Sequence, residues 1–400
     1  MINNVKLPFF TLLLLISFAS VNAVLFTPAL PMIAQFFLIT EDKAQLTISW
    51  FLIGYALGQL IYGPLANRFG RKPALYMGIC LQIFSSLICV AAGYLHLYWL
   101  LVVARFLLAL GSGVGLKMTF TYVNECYEPK IASEKISYLM LAFAITPGLS
   151  IALGGVLNTF WGWMSCFYAG AFYGIILLLF VARLPETQKI LDLNALKFKH
   201  LVKAYANQFK NFRLILGGLL MGMGTAFVYI FAALAPFIAM NLYGMKSEHY
   251  GFANLLPPLG LLIGSLISAQ CAKRFALMGN IFAGIIIITL GVISMFLGMM
   301  THLPVLAALF VPTIIIYFGM CFIFSNASSI AMSHVTDKAH GAAVMSFINM
   351  GFATLGVLSL GYFPIHTYLL PSVYLFICGA MALIAFLFYT GDVINPNRSE

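Results

Sequence analysis

The sequence predicts an all-α integral membrane protein, with twelve transmembrane helices in two pseudo-symmetric six-helix bundles. Three observations carry that prediction. The 400 residues are 62% hydrophobic and 8% charged, with a mean hydropathy of +1.00. A soluble form would need an apolar surface, so a bilayer is the natural solvent. The chain also contains twelve stretches long enough to cross hydrocarbon, which takes about 20 mostly apolar residues. Its cations, finally, alternate between loops in a way that fixes one topology.

Taken in order, the stretches are 8–37, 46–66, 73–95, 98–123, 136–157, 163–183, 212–238, 250–271, 276–298, 303–325, 341–362 and 370–390. The first exceeds the length of a span, and part of it is expected to form an exit loop. Lys6 before "LPFFTLLLLISFA", with "VNA" at 21–23, has the outline of a secretory leader. Apolar sequence nevertheless continues through "VLFTPALPMIAQFF" and further spans follow, so an uncleaved first helix is expected.

With an inside N-terminus, Lys43 and Lys246 fall on the outside, and Arg105 and Lys117 fall within a span. All remaining Lys and Arg, from Lys6 to Arg398, collect on the inner face. That asymmetry is the positive-inside pattern and places both termini in the cytoplasm of a cell with an inner, plasma membrane. It also accounts for the net charge of +10 through contact with lipid headgroups, without nucleic acid as a partner. The seven cysteines lie in spans or at their ends with no CxxC pair, so no metal site or disulfide framework is expected. No cofactor is implied.

The longest hydrophilic stretch, 184–211, follows the sixth span. Its "KILDLNALKFKHLVKAYANQFKN" spaces apolar residues helically between lysines, as in an amphipathic segment on a leaflet. The expected organisation is therefore an N-terminal bundle (1–183), a linker (184–211) and a C-terminal bundle (212–400). A weak repeat supports duplication. Gly63 opens a loop motif after the second span, and Gly264 opens "GSLISAQCAKRFA" at the end of the eighth. Two halves of six helices around a midplane site are how many secondary transporters are built.

Several motifs now carry a resemblance. "GYALGQLIYGPLANRFGRKPALYMG" resembles the loop motif of the major facilitator superfamily, G-x-x-x-D-R-x-G-R-K, between spans two and three. "RFLLALGSGVG" (105–115) is similar to that superfamily's span-four arginine motif, and "ITPGLSIALGG" (145–155) to its span-five antiporter motif. "PALP" (28–31), "LPET" (184–187) and "SNASSIAMSHVTDKAHGAAVMSFINMG" (325–351) resemble the Bcr/CflA-type drug-resistance branch, a group of twelve-span drug:proton antiporters. The resemblance covers nearly the whole chain, in the right order. It implies the major facilitator fold, a conformational latch at Gly63, Asn67, Arg68, Gly70, Arg71 and Lys72, and a span-five motif at Pro147, Gly154 and Gly155. The family's latch position is acidic; here Asn67 occupies it. Asn67 can cap a facing helix but brings no charge, while Gly63 is expected to let span two approach a neighbouring helix. Gly70 is expected to allow the turn. The second proline of the span-five motif is replaced by Ile151.

All eleven acidic residues map to loops, tails or helix ends. The branch resembled carries an acid in span one, four residues before the first proline of "PALP"; here that residue is Val24, with Asn22 nearby. Embedded charge is instead positive. Arg105 lies about 10 Å along span four, and Lys117 roughly 18 Å deeper and about 120° around the helix. Burying a cation costs at least about 2.5–3.5 kcal/mol, so each needs a partner or water. The family resemblance places Arg105 facing span one and a cavity. Lys117 either faces that cavity or snorkels to the inner interface. With Asn22, Tyr229, Asn326 and Asn349 these form the candidate substrate-binding set. The alternative for each polar residue is an interhelical hydrogen bond.

An enzyme is not indicated, because no intramembrane Asp pair, Ser/Lys dyad or HExxH is present, and His334 and His340 lack metal-ligand spacing. The expected function is secondary active transport of a small organic solute by a monomer in lipid. Efflux of neutral or anionic amphipathic compounds, with a proton or another coupling ion, is the first reading. Uptake of an anionic metabolite or siderophore is the alternative, and a transport-dead sensor or scaffold is a third.

Overall fold

In a computed structural model the chain is described over residues 7–127, 129–188, 191–192, 195–196, 205–332, 335 and 338–394. Twelve helices are long and apolar enough to cross a membrane. They are Phe9–Phe36, Glu41–Phe69, Arg71–Tyr94, Tyr98–Cys126, Tyr138–Trp161 and Met164–Val181, then Phe212–Leu242, Ser247–Ala272, Leu277–Met300, Leu306–Met332, His340–Tyr362 and Leu369–Thr390. The fold is all-α, and the protein is a multi-pass membrane protein. The expected amphipathic segment of the linker, together with Lys6, His334 and Arg398, lies outside the described residues.

The chain divides into two compact units, Met1–Val202 with Ser247–Phe252, and Lys203–Lys246 with Ala253–Glu400. In the first, the fourth span packs on the second and third, the third on the sixth, and the first on the fifth. Small residues make this close packing possible. A Cβ at Gly78 would sit 2.8 Å from the Gly111 carbonyl, so the third and fourth spans meet backbone to backbone. In the second unit the tenth span packs on the seventh, eighth and ninth, and the seventh also on the eleventh. Gly264 there faces the Phe318 carbonyl, which a Cβ would approach to 2.6 Å.

The expected exit loop at the end of the first span is not present. The helix Phe9–Val24 gives way to a 3-10 turn at Thr27–Ala29 and resumes at Leu30–Phe36. The cause is Pro28, which has no N–H for the Val24 carbonyl four residues back. Thr27 Oγ1 supplies that bond instead, at 2.8 Å. Other prolines act differently. Pro236 precedes a π turn at Phe237–Leu242, and Pro257 and Pro258 open the main helix of the eighth span at Pro257–Ala272. Pro147 lies inside a continuous helix, Pro129–Trp161.

Candidate functional site

The break in the first span leaves carbonyls at the end of its first half-helix without helical donors, and Arg105 of the fourth span supplies them. Its Nη1 donates to the Asn22 carbonyl at 2.7 Å, Nη2 to the Ala23 carbonyl at 3.3 Å and Nε to the Thr47 carbonyl at 3.4 Å. The guanidinium lies 3.9 Å from the Phe26 ring centre and 4.4 Å from that of Phe51. Arg105 is 1% exposed. A cation at a helix C-terminus meets the negative end of the helix dipole, and the aromatic faces add cation–π attraction. The cost of burying this charge is thus met by carbonyls and rings of the first and second spans.

Asn22 joins a second network beside Arg105. Its Nδ2 donates to the Phe18 carbonyl at 2.8 Å, and its Oδ1 accepts from Gln82 Nε2 at 2.7 Å. Gln82 Nε2 also reaches Ser86 Oγ at 2.9 Å and the Gly170 carbonyl at 3.1 Å, tying the first, third and sixth spans. A small cavity, with room for about one water, is lined by Asn22, Ser86, Arg105, Phe26, Cys166 and Phe167 among others. Asn22 and Arg105 are therefore brought together inside the first unit.

Lys117 does not join that group. Half-buried on the fourth span, it donates from Nζ to the Gln59 carbonyl of the second span at 3.2 Å. A Cβ on Gly63 would lie 2.5 Å from this Nζ. Gly63 thus makes room for an ammonium group and does not serve backbone approach as expected. Its counterpart in the weak repeat, Gly264, does serve backbone approach.

The loop motif is held by acids elsewhere in the chain. Gly70 sits at φ 104°, a left-handed value that favours glycine, and a Cβ there would meet Glu186 Oε2 at 2.7 Å. The Glu186 carboxylate accepts from the backbone N–H groups of Arg71 and Lys72, both at 2.9 Å, capping the third span. In return, Lys72 Nζ donates to the Ala182 carbonyl at the end of the sixth span at 2.7 Å. Arg71 pairs with Glu125 Oε1 through Nη2 at 2.8 Å and Nε at 3.2 Å, and Thr187 Oγ1 donates to the other Glu125 oxygen at 2.5 Å. Asn67 does not cap a facing helix. Its Oδ1 accepts from Arg71 Nη1 at 2.7 Å, a turn away on the same face of the loop, and its carbonyl accepts from the Asp192 N–H at 3.0 Å. Arg68 stands 6.0 Å over the Phe69 ring.

The span-five glycines face two partners. A Cβ on Gly154 would collide with the Leu25 carbonyl in the broken first span, and one on Gly155 would lie 2.6 Å from the Ser247 carbonyl. Asn158, one turn on, donates to Ser247 Oγ at 3.0 Å, all within the first unit. Pro147 lies within the same helix.

The profile of the Major Facilitator Superfamily matches residues 12–360. The chain belongs to this superfamily. It is 26% identical over 357 residues to the multidrug resistance protein D of Escherichia coli K12, covering 87% of each chain. It is 25% identical over 394 residues to the chloramphenicol resistance protein CraA of Acinetobacter baumannii, covering 97% of this chain and 92% of the relative. Among solved structures it shares the fold of a D-xylose-proton symporter, at 16% identity with a TM-score of 0.74, covering 95% and 96% of the two chains.

Within this superfamily fold, the remaining candidates lie in the second unit on three different spans. Asn326, 1% exposed, donates to the Phe322 carbonyl at 2.7 Å and accepts from Asn280 at 3.5 Å, an interhelical pair. Asn349 lies where a Cβ on Gly222 would come within 3.1 Å of its carbonyl, and its own Oδ1 is buried. Tyr229 is half-buried on the seventh span. Sequence reasoning missed Gln82, Ser86, Phe26, Phe51, Glu125 and Glu186. The acids had a signal, because each lies at an end of a span near the cationic loop. Gln82 had a weaker one, as an amide in an otherwise apolar stretch.

Proposed function

We propose that the protein is a secondary active exporter of neutral amphipathic compounds, with anionic ones as a secondary class. It acts by alternating access in the inner, plasma membrane. Both termini are cytoplasmic, as the distribution of basic residues requires, and the protein works as a monomer in lipid without catalysing a reaction. One observation carries the substrate class. Among the described residues the acids lie at span ends or in loops, and the ionic group deepest in the first unit is the enclosed Arg105. A binding region of that kind offers no negative charge to attract an organic cation, and like charge in a low dielectric repels one. Resistance to chloramphenicol, named for one relative, fits a neutral substrate.

A second reading, uptake of an anionic metabolite, is favoured by the positive charges Arg105 and Lys117. Everted membrane vesicles separate the two. Export predicts inward movement of radiolabelled chloramphenicol when the vesicles are energised. Uptake of carboxylates by right-side-out vesicles, with no chloramphenicol movement, would support the second reading.

A further inference from the structure

The chain carries two cations within a span, and their chemistry differs. Arg105 is permanently charged, since a guanidinium does not give up its proton in proteins. Its donors already engage three carbonyls and its face two aromatic rings, so nothing at that position changes charge. Lys117 can exist as either an ammonium or a neutral amine.

The surroundings of Lys117 suit both forms. The Gln59 carbonyl accepts from Nζ at 3.2 Å, and the missing side chain of Gly63 leaves the place that Nζ occupies, 2.5 Å from where a Cβ would stand. The side-chain nitrogen of Gln59, on the same face one turn from Gly63, is buried without a hydrogen-bond partner. Tyr62 and the Gly63–Pro64 segment of the second span add no charge. The loop cation Arg71 opens the third span. Arg71 is itself paired with Glu125, two turns further along Lys117's own helix. No carboxylate pairs directly with Nζ among the hydrogen bonds and ion pairs of the described residues.

We propose that Lys117 carries the coupling proton of transport, the task that a mid-span acid performs where one is present. The inference rests on the reading of the protein as a secondary transporter. The step is a proton transfer alone. Nζ releases H+ to water on one side of the membrane, becoming an amine, and regains H+ from water on the other. The Gln59 carbonyl holds the charged form, and the absence of a side chain at Gly63 leaves the amine room to remain in place.

The test uses the full-length protein in proteoliposomes with chloramphenicol as probe, alongside Lys117→Arg and Lys117→Met. A gradient of one pH unit supports about tenfold accumulation per coupled proton. Wild type is expected to reach that ratio. Both variants are expected to fall to a ratio of about one while counterflow, which needs no gradient, drops by less than about threefold. Gradient-driven accumulation by Lys117→Arg equal to wild type would overturn the proposal. Failure of wild-type counterflow would instead count against the transport reading with this probe. The proposal is then decided without substrate, by the Cε resonance of labelled lysine in nanodiscs that is missing from Lys117→Arg. Movement of that resonance across a pH titration supports Lys117 as a proton carrier, and a resonance fixed throughout overturns it.

Discussion

At the scale of single residues, Arg105 decides the most. Removing it strands the carbonyls of Asn22 and Ala23 inside the first unit, at about 1–3 kcal/mol for each buried group left without a partner. Arg105→Ala is therefore expected to lower the thermal unfolding midpoint in detergent markedly. Arg105→Lys, a single compact ammonium that cannot form the same fork, should recover only part of the loss. An unchanged midpoint in Arg105→Ala would show that the carbonyls find other donors. The residue itself was legible, because a charge in the middle of an apolar stretch is costly and seldom accidental. Its partners were not, since a backbone carbonyl carries no sequence label and Phe26 and Phe51 look like any packing aromatics. Lys117 was legible in the same way as an outlier. The role of Gly63 was not, because a glycine in a span reads equally as helix approach and as space for a side chain.

At the scale of the element, the first span shows how a proline creates a site. Pro28 removes a donor, Thr27 replaces it, and the freed end of the half-helix accepts Arg105. Thr27→Val should cost about 1–3 kcal/mol by stranding the Val24 carbonyl. The double variant Thr27→Val/Pro28→Ala restores a backbone donor at position 28. It should be less destabilised than the two single changes predict together, with a coupling of roughly 0.5–3 kcal/mol in a double-mutant cycle. Additive losses would mean that Thr27 does not stand in for the missing N–H. Most span ends were read from the chain to within a few residues, because apolar length is a direct physical requirement, although the tenth helix runs on to Met332, beyond the expected 325. The end of the first span was misjudged. A stretch longer than a span suggests an exit loop, and here Thr27 and Arg105 donate to the carbonyls at the break, with helix on either side of a short 3-10 turn.

At the scale of the whole molecule, the loop motif is held without its own acid because Glu125 and Glu186 reach it from the fourth span and from the loop after the sixth. Glu186→Ala removes the carboxylate that caps the third span, and the loss is expected to be about 0.5–2 kcal/mol. Glu125→Gln weakens a pair that is partly exposed, with a cost on the order of 1–2 kcal/mol. Asn67→Asp places a second carboxylate beside Arg71 and should preserve or raise transport. Gly63→Leu should keep the fold but abolish gradient-driven accumulation by displacing Lys117, and full accumulation at normal expression would contradict that. These long-range partners were out of reach of pattern reading, since residues 54 to 115 positions apart meet only through the packing of the spans. The superfamily was legible from the order of its motifs, while the substrate is encoded in shape and charge that no single motif spells out.

The central claim is that a transporter with no mid-span acid and an enclosed arginine moves neutral solutes and rejects organic cations. The most direct measurement is flux into energised everted vesicles, comparing chloramphenicol with a permanent quaternary ammonium dye. The account predicts energy-dependent movement of chloramphenicol and no more movement of the dye than in vesicles lacking the protein. Robust transport of the dye, undiminished in Arg105→Ala, would contradict it.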